Sequence, residues 1–263
     1  MLCPMPPAWP RQMRPSALLR RLAFAVLAGL LAVPGAMALD DDYVRPTHTR
    51  MAKTLVRLGG VDLEVDAVLD EYARLVHCDL YQGLYANEFT WRDVRPAMRA
   101  SVARSLEDFP VEYGIRGSVV LGRYDFDYGG FRLRDPEAIE NVGILELIGG
   151  EPPRCGTENY RHFPDRYRVR LRRPITLRLV PMTPAEADSL RERLIEAGNT
   201  ERTLWIRFNV SMIDILQANR REGVTFLANP DSVDLFADPA MTVPVYTYLR
   251  DDQRQLNIPK RAR

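Results

Sequence analysis

At Pro110 the spacing of apolar side chains changes from three and four residues to two, a switch that constrains the fold more than any other feature of the chain. Before it lie helical stripes. Val65, Val68, Leu69, Tyr72, Leu75, Val76 and Leu80 fall on one helical face, with Asp66, Asp70, Glu71 and Arg74 mostly opposite. A second helix follows, capped by Thr90 with Asp93 three residues on, and Val94, Met98, Val102, Leu106 and Phe109 form its stripe. Pro96 either kinks the first turns of that helix or marks its true start. A shorter helix is expected from Thr49 to Leu58.

After Pro110 the pattern is that of strands. Val111 to Asp127 alternates and is interrupted by Gly114, Gly117 and Gly122, as at a bend, bulge or hairpin. Asp127-Tyr128-Gly129-Gly130 reads as a turn with Phe131-Arg132-Leu133 returning, and Asn141 to Ile148 as a short strand stopped by Gly149-Gly150. Tyr167 to Val180 reads as a strand pair or one bent strand, with Pro174 at an edge or corner. Thr183-Pro184-Ala185-Glu186 has a capping Thr, a Pro at the first helical position and a Glu at the third, so it opens a helix that turns Ala187, Leu190, Leu194 and Ala197 inward and stops at Gly198. Leu204, Ile206, Phe208, Val210 and Met212 alternate as a strand, and Val224 to Ala228 and Thr242 to Leu249 supply two more.

The expected class is therefore α+β, a helical N-terminal third (46–109) packed on a mostly antiparallel β-sheet with one inserted helix. One composite domain is expected over 39–250, β-rich from 111 onward, with a polar tail at 251–263.

The first 38 residues differ from the rest. Arg11, Arg14, Arg20 and Arg21 are followed by an apolar run from Leu22 to Val33, then Pro34, Gly35 and Ala36-Met37-Ala38, with no acid anywhere in the stretch. That order is the order of a secretory signal peptide, with cleavage expected after Ala38 and translation starting at Met1 or Met13. A run of 12 residues is short of the ~20 that cross a bilayer core, and no later segment approaches that length, so no transmembrane segment is expected after cleavage. Only Lys53 and Lys260 are lysines among 36 basic residues, a bias of GC-rich bacterial genomes. The expected location is the periplasm or the exterior of a bacterium.

Residues 39–263 keep 32 basic side chains against 35 acidic ones. A slight acidic excess argues against nucleic acid and generic anionic membranes as partners. Cys3 leaves with the signal, so Cys78 and Cys155 remain, and an even pair in an oxidising compartment is expected to form a structural disulfide, with free thiols or an intermolecular bridge as the alternatives.

Two stretches qualify as ligand-binding candidates. Arg166, Arg168, Arg170 and Arg172 alternate with Tyr167, Val169 and Leu171, so on a strand four guanidinium groups project from one face about 7 Å apart. A row of like charges needs carboxylates across the sheet, for which Asp125 and Asp127 are suited, or an anionic ligand; internal pairing is the commoner arrangement. The loop 149–165 gathers Arg154, Glu158, Asn159, Tyr160, Arg161 and His162, and it is either a binding loop or a loop fastened for structure by Cys155.

His48, His77 and His162 show no metal-ligand spacing, Asp125-x-Asp127-x-Gly129 lacks the closing Glu of a calcium loop, and neither metal nor cofactor is expected. No nucleophile elbow, S-x-x-K or phosphate-binding glycine loop is present. The reading that results is a non-catalytic binding or structural module of the bacterial envelope, taking an anionic envelope component or a partner protein. The alternatives are a periplasmic hydrolase using His162 and Glu158 as acid and base, and a secreted effector.

Overall fold

The computed structural model describes residues 43–147, 155, 160–219 and 222–249. The stretch 1–38 expected to be a signal, the tail 251–263, Arg154, Glu158 and Asn159 lie outside the described residues.

Helix α1 (His48–Arg57) starts at Thr47, whose side chain accepts from the Arg50 amide, and buries Met51, Ala52 and Leu55. Helix α2 (Asp66–Val76) buries Val68, Leu69, Tyr72, Ala73 and Leu75 as its spacing predicts. The single long stripe does not survive beyond it. His77 leaves the helical region at φ −130°, ψ 53°, a new helix α3 (Cys78–Leu84) begins at once, and Leu80 and Val65 are exposed instead of buried. A one-residue break does not disturb a count of three- and four-residue steps, which is why periodicity runs across it.

Helix α4 (Glu88–Glu107) starts earlier than Thr90, because Asn87 accepts from the amides of both Phe89 and Thr90. Pro96 neither starts nor ends it; it sits on the exposed side, where the carbonyl deprived of its intrahelical donor meets water. Trp91, Met98, Val102 and Leu106 form the buried stripe. Asp70 joins α2 to α4: it accepts from Trp91 Nε1 (2.8 Å) and takes the Arg95 fork at 2.9 and 2.6 Å.

Strand β1 (Glu112–Asp125) is one continuous strand whose glycines bend it without breaking it, and it turns through 126–129 into β2 (Gly130–Leu133). A 3₁₀ turn (Pro136–Ile139) leads to β3 (Val142–Leu147), and then come β4 (Tyr167–Ile175) and β5 (Leu179–Pro181). Helix α5 (Pro184–Glu196) carries the full capping box of Thr183 and Glu186 and packs against β2; Ala187, Leu190 and Leu194 are buried, while Ala197 is exposed as its C-cap. Long strands β6 (Thr203–Asn219) and β7 (Gly223–Phe236) and the last strand β8 (Pro244–Leu249) complete the chain.

Hydrogen bonding orders the sheet β3-β4-β7-β6-β1-β2-β5, with β8 beside β7. The β4–β7 pair is parallel and the other paired strands are antiparallel. β5 follows β4 by three residues yet lies at the far end of this order. A link that reaches roughly 14 Å at full extension forces the sheet to curl back on itself. The class is thus α+β, with, among the described residues, four helices ahead of a curled, mostly antiparallel sheet of eight strands and one helix inserted.

Strand β7 runs past Ala228, where the sequence pattern stopped, and contains Pro230. Its edge opposite β6 pairs with β4 over 224–228 and with β8 over 232–236, so the proline falls between the two partners, where no ladder bond needs its missing N–H. At the start of β7, Gly223 has φ 89°, and a Cβ there would collide with the Arg166 carbonyl that receives the Val224 amide. The core is continuous from the helices to the sheet. Leu204, Ile206, Phe208, Val210 and Met212 of β6 alternate inward, and the Thr54 hydroxyl of α1 meets the Tyr113 hydroxyl of β1 at 2.6 Å.

Candidate functional site

Strand β4 divides its side chains as alternation demands. Tyr167, Val169, Leu171 and Ile175 are buried, Arg168 is half-buried, and Arg170 and Arg172 are exposed. On β3, Glu146 stands opposite Arg168 and Ile144 opposite Arg170; on β7, Thr225 and Leu227 take the same positions. Among the described residues one acid therefore meets the row, with Glu146 Oε1 2.8 Å from Arg168 Nε.

The acids suggested by sequence lie away from the row, Asp127 exposed in the turn after β1. Asp125 belongs to the β1–β2 hairpin, where it takes Arg132 Nε at 2.6 Å and the amides of Asp127 and Tyr128, and β7 and β6 lie between its strand and β4. The Arg132 bond and those amides hold its carboxyl below the ordinary range despite some desolvation. Among the described residues, the side chains of Arg166, Arg170 and Arg172 form no hydrogen bond or ion pair. Ile144, beside Arg170, is itself exposed.

The second candidate is fixed from the helices. Glu71, 8% exposed, accepts from the His162 amide and from His162 Nδ1, both at 2.8 Å, and from the Phe163 amide at 3.3 Å. Arg74, 6% exposed, lays its guanidinium 4.6 Å from the centre of the Tyr160 ring. The sulfurs of Cys78 and Cys155 lie at disulfide distance, with Cα atoms 5.5 Å apart, and Cys155 is buried. Glu71 and Arg74 of α2 and Cys78 at the start of α3, on either side of the break at His77, hold His162 and Phe163, Tyr160 and Cys155 respectively.

Sequence reasoning assigned Glu71 and Arg74 to the solvent face and missed both. The one signal was their closeness in sequence to Cys78. Of the loop candidates, Tyr160 packs on Arg74, His162 is held by Glu71 with its side chain 39% exposed, and Arg161 is exposed. Beneath them, His48 Nε2 lies 3.1 Å from the Asp165 carbonyl and its ring meets Tyr167 edge-on. Burial pushes the Tyr72 hydroxyl up to about 12 and that of Tyr167 upward as well, so both stay neutral and neither supplies a base at neutral pH.

Among the described residues, no three His, Cys, Asp or Glu side chains gather as a metal site requires, and no helix is long and apolar enough to cross a membrane.

Residues 64–192 are similar to a domain of unknown function (DUF4852). That span takes in Glu71, both cysteines, His162 and the arginine row, and leaves β6, β7 and β8 outside. No curated protein and no solved structure matches the chain.

Proposed function

We propose that this protein is a secreted or periplasmic module of the bacterial envelope that binds an anionic envelope component through β4, without catalysis. The observation that carries the reading is the exposed pair Arg170 and Arg172, to which the described residues offer no carboxylate, on a strand whose alternate residues are anchored in the core. An exposed guanidinium fork on a rigid strand is pre-organised for carboxylate, sulfate or phosphate oxygens. Arg161 and His162, also exposed, lie in the stretch that leads into β4. The arginine-led apolar run that ends at Ala38 supports export, and the facing cysteines suit an oxidising compartment.

Retention on a sulfated-polysaccharide column tests the row. Arg170→Glu with Arg172→Glu is expected to abolish retention while shifting stability by less than about 0.5 kcal/mol, because both side chains are solvated. Unchanged retention would remove the row from the proposal.

One geometric observation favours a second reading, a hydrolase. Glu71 holds His162 through Nδ1 and leaves Nε2 without a described partner, the arrangement by which a carboxylate orients a catalytic base. Glu158, the other acid-base candidate of the sequence, lies outside the described residues. For a hydrolase, His162→Ala lowers turnover of a cleaved ester, peptide or glycan by ~10²-fold or more. A protein inert towards all three classes excludes it.

A further inference from the structure

A second cluster of arginines stands apart from β4. The β1–β2 ladder slips between Leu121 and Tyr124, so that Gly122 and Arg123 together oppose Arg132 alone. Such a bulge turns a strand and redirects its side chains. Here it opens a groove of about 410 Å³ whose lining includes Gly122, Arg123, Arg132, Arg134 and Arg202. Sequence inspection did not find it, because the four arginines come from three separate segments.

The groove is built firmly. Arg202 holds a left-handed conformation, φ 57°, which few residues other than glycine adopt. Three hydrogen bonds impose it: its amide donates to Asn199 O (3.3 Å), its carbonyl accepts from Leu121 N (3.0 Å), and its Nη1 donates to Gly122 O (3.3 Å). Asn199 is itself locked across to Thr203, accepting from its amide and donating to its carbonyl. Gly122 permits the approach on the other side, since a Cβ would stand 3.0 Å from Arg132 O.

Charge decides what such a groove takes. Arg132 is paired with Asp125 at 2.6 Å and Arg134 with Glu201 at 3.0 Å. Arg202 meets only a carbonyl with its guanidinium, and Arg123 has no side-chain partner among the described residues. Among the described residues, four arginines against two carboxylates leave the groove two positive charges in excess. The Arg134–Glu201 pair is exposed on both sides and worth little, so Arg134 is free to turn to a ligand. A phosphate monoester carries close to two negative charges at neutral pH and three acceptor oxygens, which suits guanidinium forks. The volume suits a small molecule.

We propose that this groove is a binding site for a small phosphate-bearing dianion, inorganic phosphate or a phosphate monoester, held by Arg123, Arg134 and Arg202. It is separate in strand order from the arginine row of β4, and it stands or falls without that row.

The test is calorimetric titration of the full folded protein with inorganic phosphate and with phenyl phosphate, at low ionic strength and again at high. Both probes are expected to bind, more weakly in salt. Arg123→Ala and Arg202→Gly are each expected to weaken binding about tenfold or more, the loss of one charge-assisted bond. Arg202→Gly is informative because glycine accepts the left-handed backbone: its melting temperature should hold or rise while affinity falls. Arg170→Glu with Arg172→Glu should leave affinity unchanged. The proposal is overturned if neither phosphate binds the wild-type protein, or if the Arg123→Ala, Arg202→Gly double variant binds as tightly as wild type. Capture by phosphatidic acid vesicles without binding of either soluble phosphate would also overturn it, assigning the arginines to a lipid surface instead.

Discussion

Asp234→Ala is expected to destabilise the fold by about 3–5 kcal/mol, the cost of breaking a buried ion pair from one side, and to lower the melting temperature by on the order of 10 °C. The side chain is 4% exposed and faces away from the alternating apolar residues of β6. One oxygen accepts from Asn209 Nδ2 at 2.6 Å and from Arg207 Nη2 at 3.1 Å, and the other from the Thr247 hydroxyl at 2.9 Å. A single carboxylate of β7 therefore ties β6 on one side to β8 on the other. Truncating it takes a counter-charge from Arg207, whose own side chain is 11% exposed. Asp188→Ala serves as the comparison, since its pair with Arg191 is exposed on α5 and worth at most about 1 kcal/mol. If thermal unfolding shows the two substitutions costing the same, the Asp234 cluster does not hold the strands together.

The fold was legible where one face of an element is buried and the other wet. Leu204 to Met212 alternated, the stripe on α4 ran true, and Thr183 with Glu186 formed the capping box their spacing implied. What sequence could not show was anything set by a non-local partner. Glu71 and Arg74 look like the wet side of a helix, and only the returning segment at 160–163 makes that side an interior. The strand expected over Val224 to Ala228 stops short of Phe236, because the exchange of β4 for β8 along one edge, which lets the strand run on through Pro230, is a property of the sheet. Asp125 and Asp127 looked like partners for the arginine row because alternation says which face a residue takes but not which strand lies opposite. The row itself was visible, being contained in one strand. The arginine groove was not, since it exists only after a bulge brings three segments together.

The cysteine pair carries the other large effect. Replacing Cys78 and Cys155 with serine, or reducing them, is expected to lower the unfolding free energy by about 4 kcal/mol, the chain-entropy value for a link spanning 77 residues. Urea unfolding with and without reductant reads this directly, and the double-serine variant should be indifferent to reductant. The loss should also be felt locally. The His162 and Phe163 amides that donate to Glu71 follow Cys155 by a few residues, so their hydrogen exchange should quicken on reduction even though the Glu71 and Arg74 fastenings remain. Protein recovered from the periplasm without reductant should begin at Leu39 and weigh two hydrogens less than its reduced chain. A urea midpoint indifferent to reductant in the wild-type protein, with the two hydrogens present, would mean that the sulfurs approach without bonding. The proposal of an oxidising compartment would then rest on the leader alone, and Glu71, not Cys155, would be the main tie between the helices and the strand that carries the arginines.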